Sequence, residues 1–364
     1  MTTHIDHFGN LIGRLEGRDP ELPVLMMGSH LDSQPYGGRF DGVAGVLCAI
    51  EAVRTLTEKG IQPGRPIEVV SFADEEGWRF NKGLFGSRGI LGRLGPGELE
   101  RTDKEGITRK QALIDFGCDP ERFSESLYQP GSIHCFLELH IEQGPVLDLA
   151  QKPIGIVTGI SGPLWLTLKL RGMAGHAGSV PMAIRNDALV GAAEIILALR
   201  NIATQVPGAP TVGTVGTLNV FPASRNIIPE EVTLTIDLRD IDLDRRNGYE
   251  AQLKESITAT CTRQGLSWEI TEDWNSEPRY CAPWLKEIVS RQCAGLNLEA
   301  PELMSGPFHD AMALSYATDY AMIFVRCKDG ISHNPLEFAS YEDLSLGAEV
   351  LYGTMLKVLK KSEE

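Results

Sequence analysis

The chain has 364 residues, enough for two domains with separate cores, and its formal charge of −15 speaks against nucleic acid and anionic membranes as partners. No stretch is apolar for the length of a membrane span, and the opening Met-Thr-Thr-His-Ile-Asp-His lacks the basic-then-apolar order of a signal peptide. Seven cysteines, an odd number without Cys-x-x-Cys spacing, read as reduced thiols of a cytoplasmic protein.

Residues 10–17 read as a strand with an exposed face. The apolar run from Leu22 to Met27 predicts a short buried strand ending at Ser29-His30. Asp32 follows, and the loop Gly37-Gly38-Arg39-Phe40-Asp41-Gly42 is flexible enough to turn Asp41 back beside His30. An imidazole and a carboxylate at a strand end suit a divalent metal, with Asp32 available to the other ring nitrogen of His30. Small and apolar residues after Gly42 predict a helix that packs closely on a sheet and stops at Lys59-Gly60. The next strand, from Pro66, finishes at Asp74-Glu75-Glu76-Gly77. A polar, helix-prone region reaches about residue 130, and a strand from His134 to His140 then meets Ile141-Glu142-Gln143-Gly144-Pro145. Strands alternating with helices predict an α/β domain with a mixed, mostly parallel sheet.

The character changes near Gly159. Residues 164–172 alternate strictly between apolar and polar, as a sheet with one wet face does. A glycine-rich turn with His176, a helix from Asp187, strands at 211–220 and 231–239, a helix through Ile257 and a strand at 267–270 follow. That order is a ferredoxin-like α+β pattern, inserted at residues 160–274. The first domain, residues 1–159, resumes at 275–364 with a strand from Tyr320 that leads to Ile331-Ser-His333-Asn-Pro.

The strand ends thus collect His30, Asp41, Glu75, Glu76, His140 and His333. Ligands bind outside the carboxyl ends of strands in open α/β sheets, so these residues can converge from distant sequence positions. Three histidines and two carboxylates suffice for two transition-metal ions when one carboxylate bridges. Consecutive glutamates past a strand point in different directions, so one can bind metal while the other acts as general base.

These segments resemble the N-carbamoyl-L-amino-acid hydrolases, which group with allantoate amidohydrolases and β-ureidopropionases in the di-metal aminoacylase and carboxypeptidase superfamily. The likeness is carried, in order, by Gly-Ser-His30-Leu-Asp32, Gly-Gly-Arg-Phe-Asp41-Gly, Asp-Glu75-Glu76-Gly, Glu-Leu-His140-Ile-Glu-Gln143-Gly-Pro and Ile-Ser-His333-Asn-Pro. It implies that Asp41 bridges, with His30 and His140 on one ion, Glu76 and His333 on the other, and Glu75 as base. It further implies that His176, in Gly172-Met-Ala-Gly-His-Ala-Gly178, polarises the scissile carbonyl, typically from the partner subunit. Asn226 in Ser-Arg-Asn-Ile-Ile-Pro and Gln143 would contact substrate, and Arg239 in Asp-Leu-Arg-Asp would pair with its carboxylate. Taken alone, Arg239 reads equally well as a surface ion-pair residue and Asn226 as a turn former.

The implied cofactors are two divalent transition-metal ions per chain, Zn, Mn, Co or Ni. The implied partners are a small carbamoyl or ureido amino acid and a second copy of the chain, paired through the inserted domain. The expected reaction converts an N-carbamoyl-L-amino acid to the amino acid, carbon dioxide and ammonia. Allantoate or another ureido acid is the alternative substrate, followed by a di-metal aminoacylase or peptidase and by a non-catalytic ligand-binding relative. Three departures stand out. Relatives carry a further N-terminal helical segment, whereas this chain starts almost at its first strand. Met304-Ser-Gly-Pro-Phe-His309-Asp310-Ala replaces the usual Ser-Gly-Ala-Gly-His-Asp-Ala, predicting a bulkier pocket with His309 as a pocket residue. Arg326-Cys-Lys-Asp is more charged than the usual approach to His333.

Overall fold

The computed structural model describes residues 1–361 and divides them into two units, residues 1–159 with 280 onward, and residues 160–279. The second unit extends past residue 274 because Asn275 still pairs with Leu164 and the Ser276 N–H donates to the Pro163 carbonyl. All seven cysteines are buried and free. Among the described residues no helix is long and apolar enough to cross a membrane.

The first unit is built on a nine-stranded mixed sheet with four parallel strands at its centre, Ile67–Phe72, Val24–His30, Ile133–Ile141 and Asp319–Val325. Antiparallel neighbours flank them, the hairpin of Thr2–Ile5 and Leu11–Leu15 on one side and Ile154–Ile160 on the other. Central parallel strands are covered on both faces and therefore read as unbroken apolar runs. Val24–His30 fits that rule, being buried at every position. Helices Val43–Glu58, Pro283–Gly295 and Tyr341–Lys361 bring Ala49, Val53, Leu285, Val289, Val350 and Met355 into one core with Leu25, Met27, Val69, Leu137 and Ile323 of the sheet. Neither of the last two helices nor the strand Ile154–Ile160 was expected from the sequence. The strand carries two glycines, which weaken its intrinsic signal, and pairing with Asp319–Val325 makes up for them.

Parallel register puts the ends of neighbouring strands side by side. His30 pairs with Phe72, and His140 with Phe324. The turn after Phe72 and the imidazoles of two strand ends therefore lie at one edge of the sheet.

The second unit is a four-stranded antiparallel sheet in the order Ser267–Asn275, Gly162–Arg171, Glu231–Asp240, Val212–Phe221. Leu164, Leu166, Leu168 and Leu170 face Val232, Leu234, Ile236 and Leu238 in its core, with Ile195 and Leu199 of helix Ala188–Ala203 and Leu253 and Ile257 of helix Leu243–Gln264. Both helices begin on an aspartate that accepts first-turn N–H groups, Asp187 from Leu189 and Val190, Asp242 from Arg245. Strand, helix, two strands, helix, strand is the ferredoxin-like order expected.

Candidate metal centre

The centre is organised around Asp41, whose carboxylate is almost fully buried. Its Oδ1 lies 3.0 Å from His140 Nε2 and 3.8 Å from His30 Nε2, while its Oδ2 lies 3.0 Å from His333 Nε2. His333 Nε2 is also 3.5 Å from Glu76 Oε1. Two donor sets therefore share one carboxylate: His30, Asp41 and His140, and Asp41, Glu76 and His333. Gly42 makes this approach possible. Its φ of 66° is left-handed, and a Cβ there would lie 2.5 Å from the His30 ring.

The histidine tautomers follow from their other nitrogens. His30 Nδ1 is 2.9 Å from the Asp32 main-chain carbonyl and His140 Nδ1 is 2.8 Å from that of Ile141. A carbonyl only accepts, so each Nδ1 carries the proton, and in the neutral ring Nε2 is left with its lone pair toward Asp41. Asp32 thus orients His30 through its backbone, its carboxylate being 3.8 Å from the ring. That carboxylate instead accepts the N–H groups of Glu75 (3.2 Å) and Glu76 (3.0 Å), fixing the turn that carries both glutamates.

The residues fit two cations. Ligand atoms about 2 Å from one tetrahedral ion stand roughly 3–4 Å apart, which the separations of 3.0–3.8 Å from Asp41 and between His333 and Glu76 match, all atoms of each set lying within 4.8 Å of one another. Glu76 Oε1 is buried and has no hydrogen-bond partner among the described residues. An acidic excess surrounds it. Burial pushes the Glu75 carboxyl well above its usual range, reinforced by Asp310, Glu76, Asp32 and Glu138, and burial also raises Glu76. Asp41 goes the other way. Burial would raise it, but hydrogen bonds from His140 and His333 and the charges of His140 and His30 hold it well below the carboxylate range. Burial would likewise lower His140, yet Asp41 lifts it to about 9. A hydrogen bond to the same carboxylate raises His333. A third group, Glu138, His140 and His309, has its atoms engaged elsewhere: Glu138 by Ser29 Oγ and the Ala311 N–H, His309 by Ser305 Oγ.

Gln143 belongs to the cluster, donating from Nε2 to Asp41 Oδ2 at 3.0 Å. Asp74, Gln143 and His333 all adopt left-handed φ values of 51–56°, a concentration of backbone strain of the kind that gathers at functional sites. His309 does not line an open pocket. It is 1% exposed, its ring set edge-on to His140 at 4.4 Å and against Phe324 at 6.1 Å. As the residue preceding the short helix Asp310–Leu314 it is packed inward, behind His140.

In the second unit, His176 is exposed and bridged to Ile227, and the Ala177 N–H donates to the Asn226 carbonyl, so the two loops are fastened together. His176 Nδ1 accepts the Gly178 N–H at 3.1 Å, which leaves the ring proton on Nε2. The Asn226 side chain accepts from Ser224 Oγ. Arg239 makes a two-pronged pair with Asp237 on its own strand, at 2.9 Å and 2.7 Å.

Two residues of the centre went unread in the sequence. Glu337 is buried and accepts the N–H groups of Phe40 and Asp41 on one oxygen and Ser332 Oγ on the other, tying Asp41 to the His333 loop. Gln34 donates to Glu76 Oε2 at 2.9 Å. The one available signal was position, Glu337 four residues after His333.

A mixed-sheet α/β domain whose central parallel strands bring together two donor sets joined by one carboxylate defines a candidate two-ion hydrolytic centre. Residues 26–357 match the sequence profile of Peptidase family M20/M25/M40, and the chain belongs to that family. It is 47% identical to the N-carbamoyl-L-amino-acid amidohydrolase of Pseudomonas sp. (strain NS671) over 98% of this chain and 87% of the relative. It is 42% identical to the N-carbamoyl-L-amino acid amidohydrolase of Geobacillus stearothermophilus over 96% of this chain and 85% of that one. The crystal structure of a hydantoinase/carbamoylase family amidase from Burkholderia ambifaria matches with a TM-score of 0.90 and 36% identity, covering 98% of this chain and 85% of that chain.

Proposed function

We propose that this chain hydrolyses the ureido C–N bond of an N-carbamoyl-L-amino acid, consuming water and releasing the amino acid, carbon dioxide and ammonia. The observation that carries the reading is the sharing of Asp41 between two donor sets, His140 at 3.0 Å from Oδ1 and His333 at 3.0 Å from Oδ2. Membership of a hydrolase family and relatives named for this activity support it. Seven buried, unpaired thiols fit a reducing, cytoplasmic setting.

In this reading His30, Asp41 and His140 hold one divalent transition-metal ion, and Asp41, Glu76 and His333 hold another. When bound, such ions polarise the scissile carbonyl and make water acidic near neutral pH. Glu75 takes the proton of the attacking water and returns it to the leaving nitrogen. Neutralising the acidic excess around Glu75 is what frees its carboxylate to accept that proton. Gln143 orients the substrate beside the shared carboxylate. His176 donates from Nε2 to the carbonyl oxygen, where charge accumulates. Arg239 holds the substrate carboxylate, for which its present pairing with Asp237 is the matching fork geometry. Asn226 adds a further polar contact.

We place His176, Asn226 and Arg239 in a homodimer formed through the second unit. Val212–Phe221 is an edge strand of ten residues without a charged side chain, largely exposed, and suited to pairing with a copy of itself. The reaction is tested by following ammonia and amine release from N-carbamoyl-L-amino acids, allantoate and dipeptides, using protein reconstituted with Zn²⁺, Mn²⁺, Co²⁺ or Ni²⁺. The reading expects the carbamoyl amino acids to be cleaved best. Preferred cleavage of dipeptides, or no turnover with any metal, contradicts it.

A further inference from the structure

We propose that Arg109 is a positioning residue of the metal centre, acting through Asp74 to hold the turn that presents Glu75 and Glu76. The inference rests on the reading of those two glutamates as base and ligand. Asp74 has a φ of 53°, a left-handed conformation that persists in a non-glycine residue only where its surroundings hold it. The main chain is anchored by the Phe85 N–H on the Asp74 carbonyl and the Leu84 N–H on the Glu75 carbonyl. Asp32 restrains the following two N–H groups. What remains is the Asp74 side chain, and its Oδ2 accepts from Arg109 Nη2 at 2.8 Å.

Arg109 is built into the fold for this contact. It is 1% exposed, and its guanidinium carbon lies 4.4 Å from the ring centre of Phe85 and 4.9 Å from that of Phe80. Nη2 also donates to the Lys82 carbonyl, and Nη1 to Glu98 Oε2 at 2.9 Å. Glu98 has two further cations, Lys82 and Arg88, and so does not depend on Arg109 for neutralisation. Asp74 has no such reserve: among the described residues Arg109 is the only cation hydrogen-bonded to it. A buried guanidinium is costly to desolvate, and in some proteins a buried ion pair serves to specify one conformation. Here that conformation is the turn at the end of Ile67–Phe72, and the polar region after residue 77 supplies the clamp.

The test compares Asp74→Asn, Arg109→Lys, Arg109→Gln and the Asp74→Asn/Arg109→Gln double variant with the parent chain. Co²⁺ binding to the metal-free proteins is followed spectroscopically, and kcat and KM on an N-carbamoyl-L-amino acid are measured at saturating Co²⁺. Asparagine tolerates left-handed φ, so Asp74→Asn removes the charge alone. The proposal expects Asp74→Asn to weaken one Co²⁺ equivalent and to lower kcat, each by roughly 10–100-fold, with KM changed by less than about threefold. Arg109→Lys should lose in the same direction, because a point charge cannot reproduce the fixed fork that bonds Asp74 and the Lys82 carbonyl from Nη2 while Nη1 holds Glu98. The double variant should be no worse than the weaker single one, since both act through one contact. Parent-like behaviour of Asp74→Asn, or losses that multiply in the double variant, overturns the proposal. Should Arg109→Gln fail to fold, Asp74→Asn and Arg109→Lys decide. A parent protein that binds no Co²⁺ or turns over no substrate fails the functional reading instead and takes this inference with it.

Discussion

Glu75 and Glu76 are neighbours in the chain but face different partners: Glu75 Oε2 lies 3.7 Å from His30 Nε2, whereas Glu76 Oε1 lies 3.5 Å from His333 Nε2. One turn thus delivers a carboxylate to each side of Asp41. The two conservative amides should separate their roles. Glu75→Gln is expected to fold, bind both ions and lose turnover by roughly 10²-fold or more. Glu76→Gln is expected to weaken metal binding first. Elemental analysis beside kcat distinguishes them, and the reverse pattern would exchange the assignments of base and ligand.

With His140 as a metal ligand, metal and proton compete for the same nitrogen. In the metal-free protein Asp41 stays ionised and lifts His140 to about 9, against the burial that would lower it. A raised histidine pKa stabilises the fold fully below its unfolded value of about 6.5 and ceases to do so as pH rises through about 9. Metal-free protein should therefore lose stability progressively as pH rises from about 6.5 to about 9, while metal-loaded protein should not. Loading at neutral pH should release protons, and apparent affinity should fall about tenfold for each pH unit of acidification per proton displaced. Calorimetric titration in buffers of different ionisation enthalpy measures this release; its absence would show that His140 is not a ligand.

The assignment of His176 to a partner subunit makes a separate prediction. Glu75→Gln and His176→Ala proteins should each be inactive, and mixing them under subunit exchange should restore activity. Each mixed dimer combines one intact metal centre with one intact donating histidine, so one site of two should work. Failure to regain activity, with exchange verified by mass, would return His176 to its own chain's site or remove it from catalysis.

What the sequence made legible were residues at the ends of apolar runs. His30 and His140 announce themselves because buried parallel strands leave an unbroken signal and ligand-type side chains follow at once. Asp32 was legible as a residue of the site, but its use was not: its carbonyl takes the His30 ring and its carboxylate holds the Glu75–Glu76 turn. Glu337 escaped notice because its function is purely tertiary, joining Asp41 to Ser332 across almost the whole chain. Arg109 lay in a polar stretch without periodicity, where nothing local marks an arginine as buried. His309 was expected in the pocket and packs behind His140, a placement decided by the helix it precedes.

The most direct measurement is a titration of metal-free protein with Co²⁺ or Mn²⁺, following amino-acid release from an N-carbamoyl-L-amino acid at each addition. If Asp41 joins two ions, turnover should be absent at the start, rise to a plateau near two equivalents per chain, and be abolished by a chelator. Full turnover by the metal-free protein, or a plateau reached with no ion bound at the His30, Asp41 and His140 set, would contradict the account.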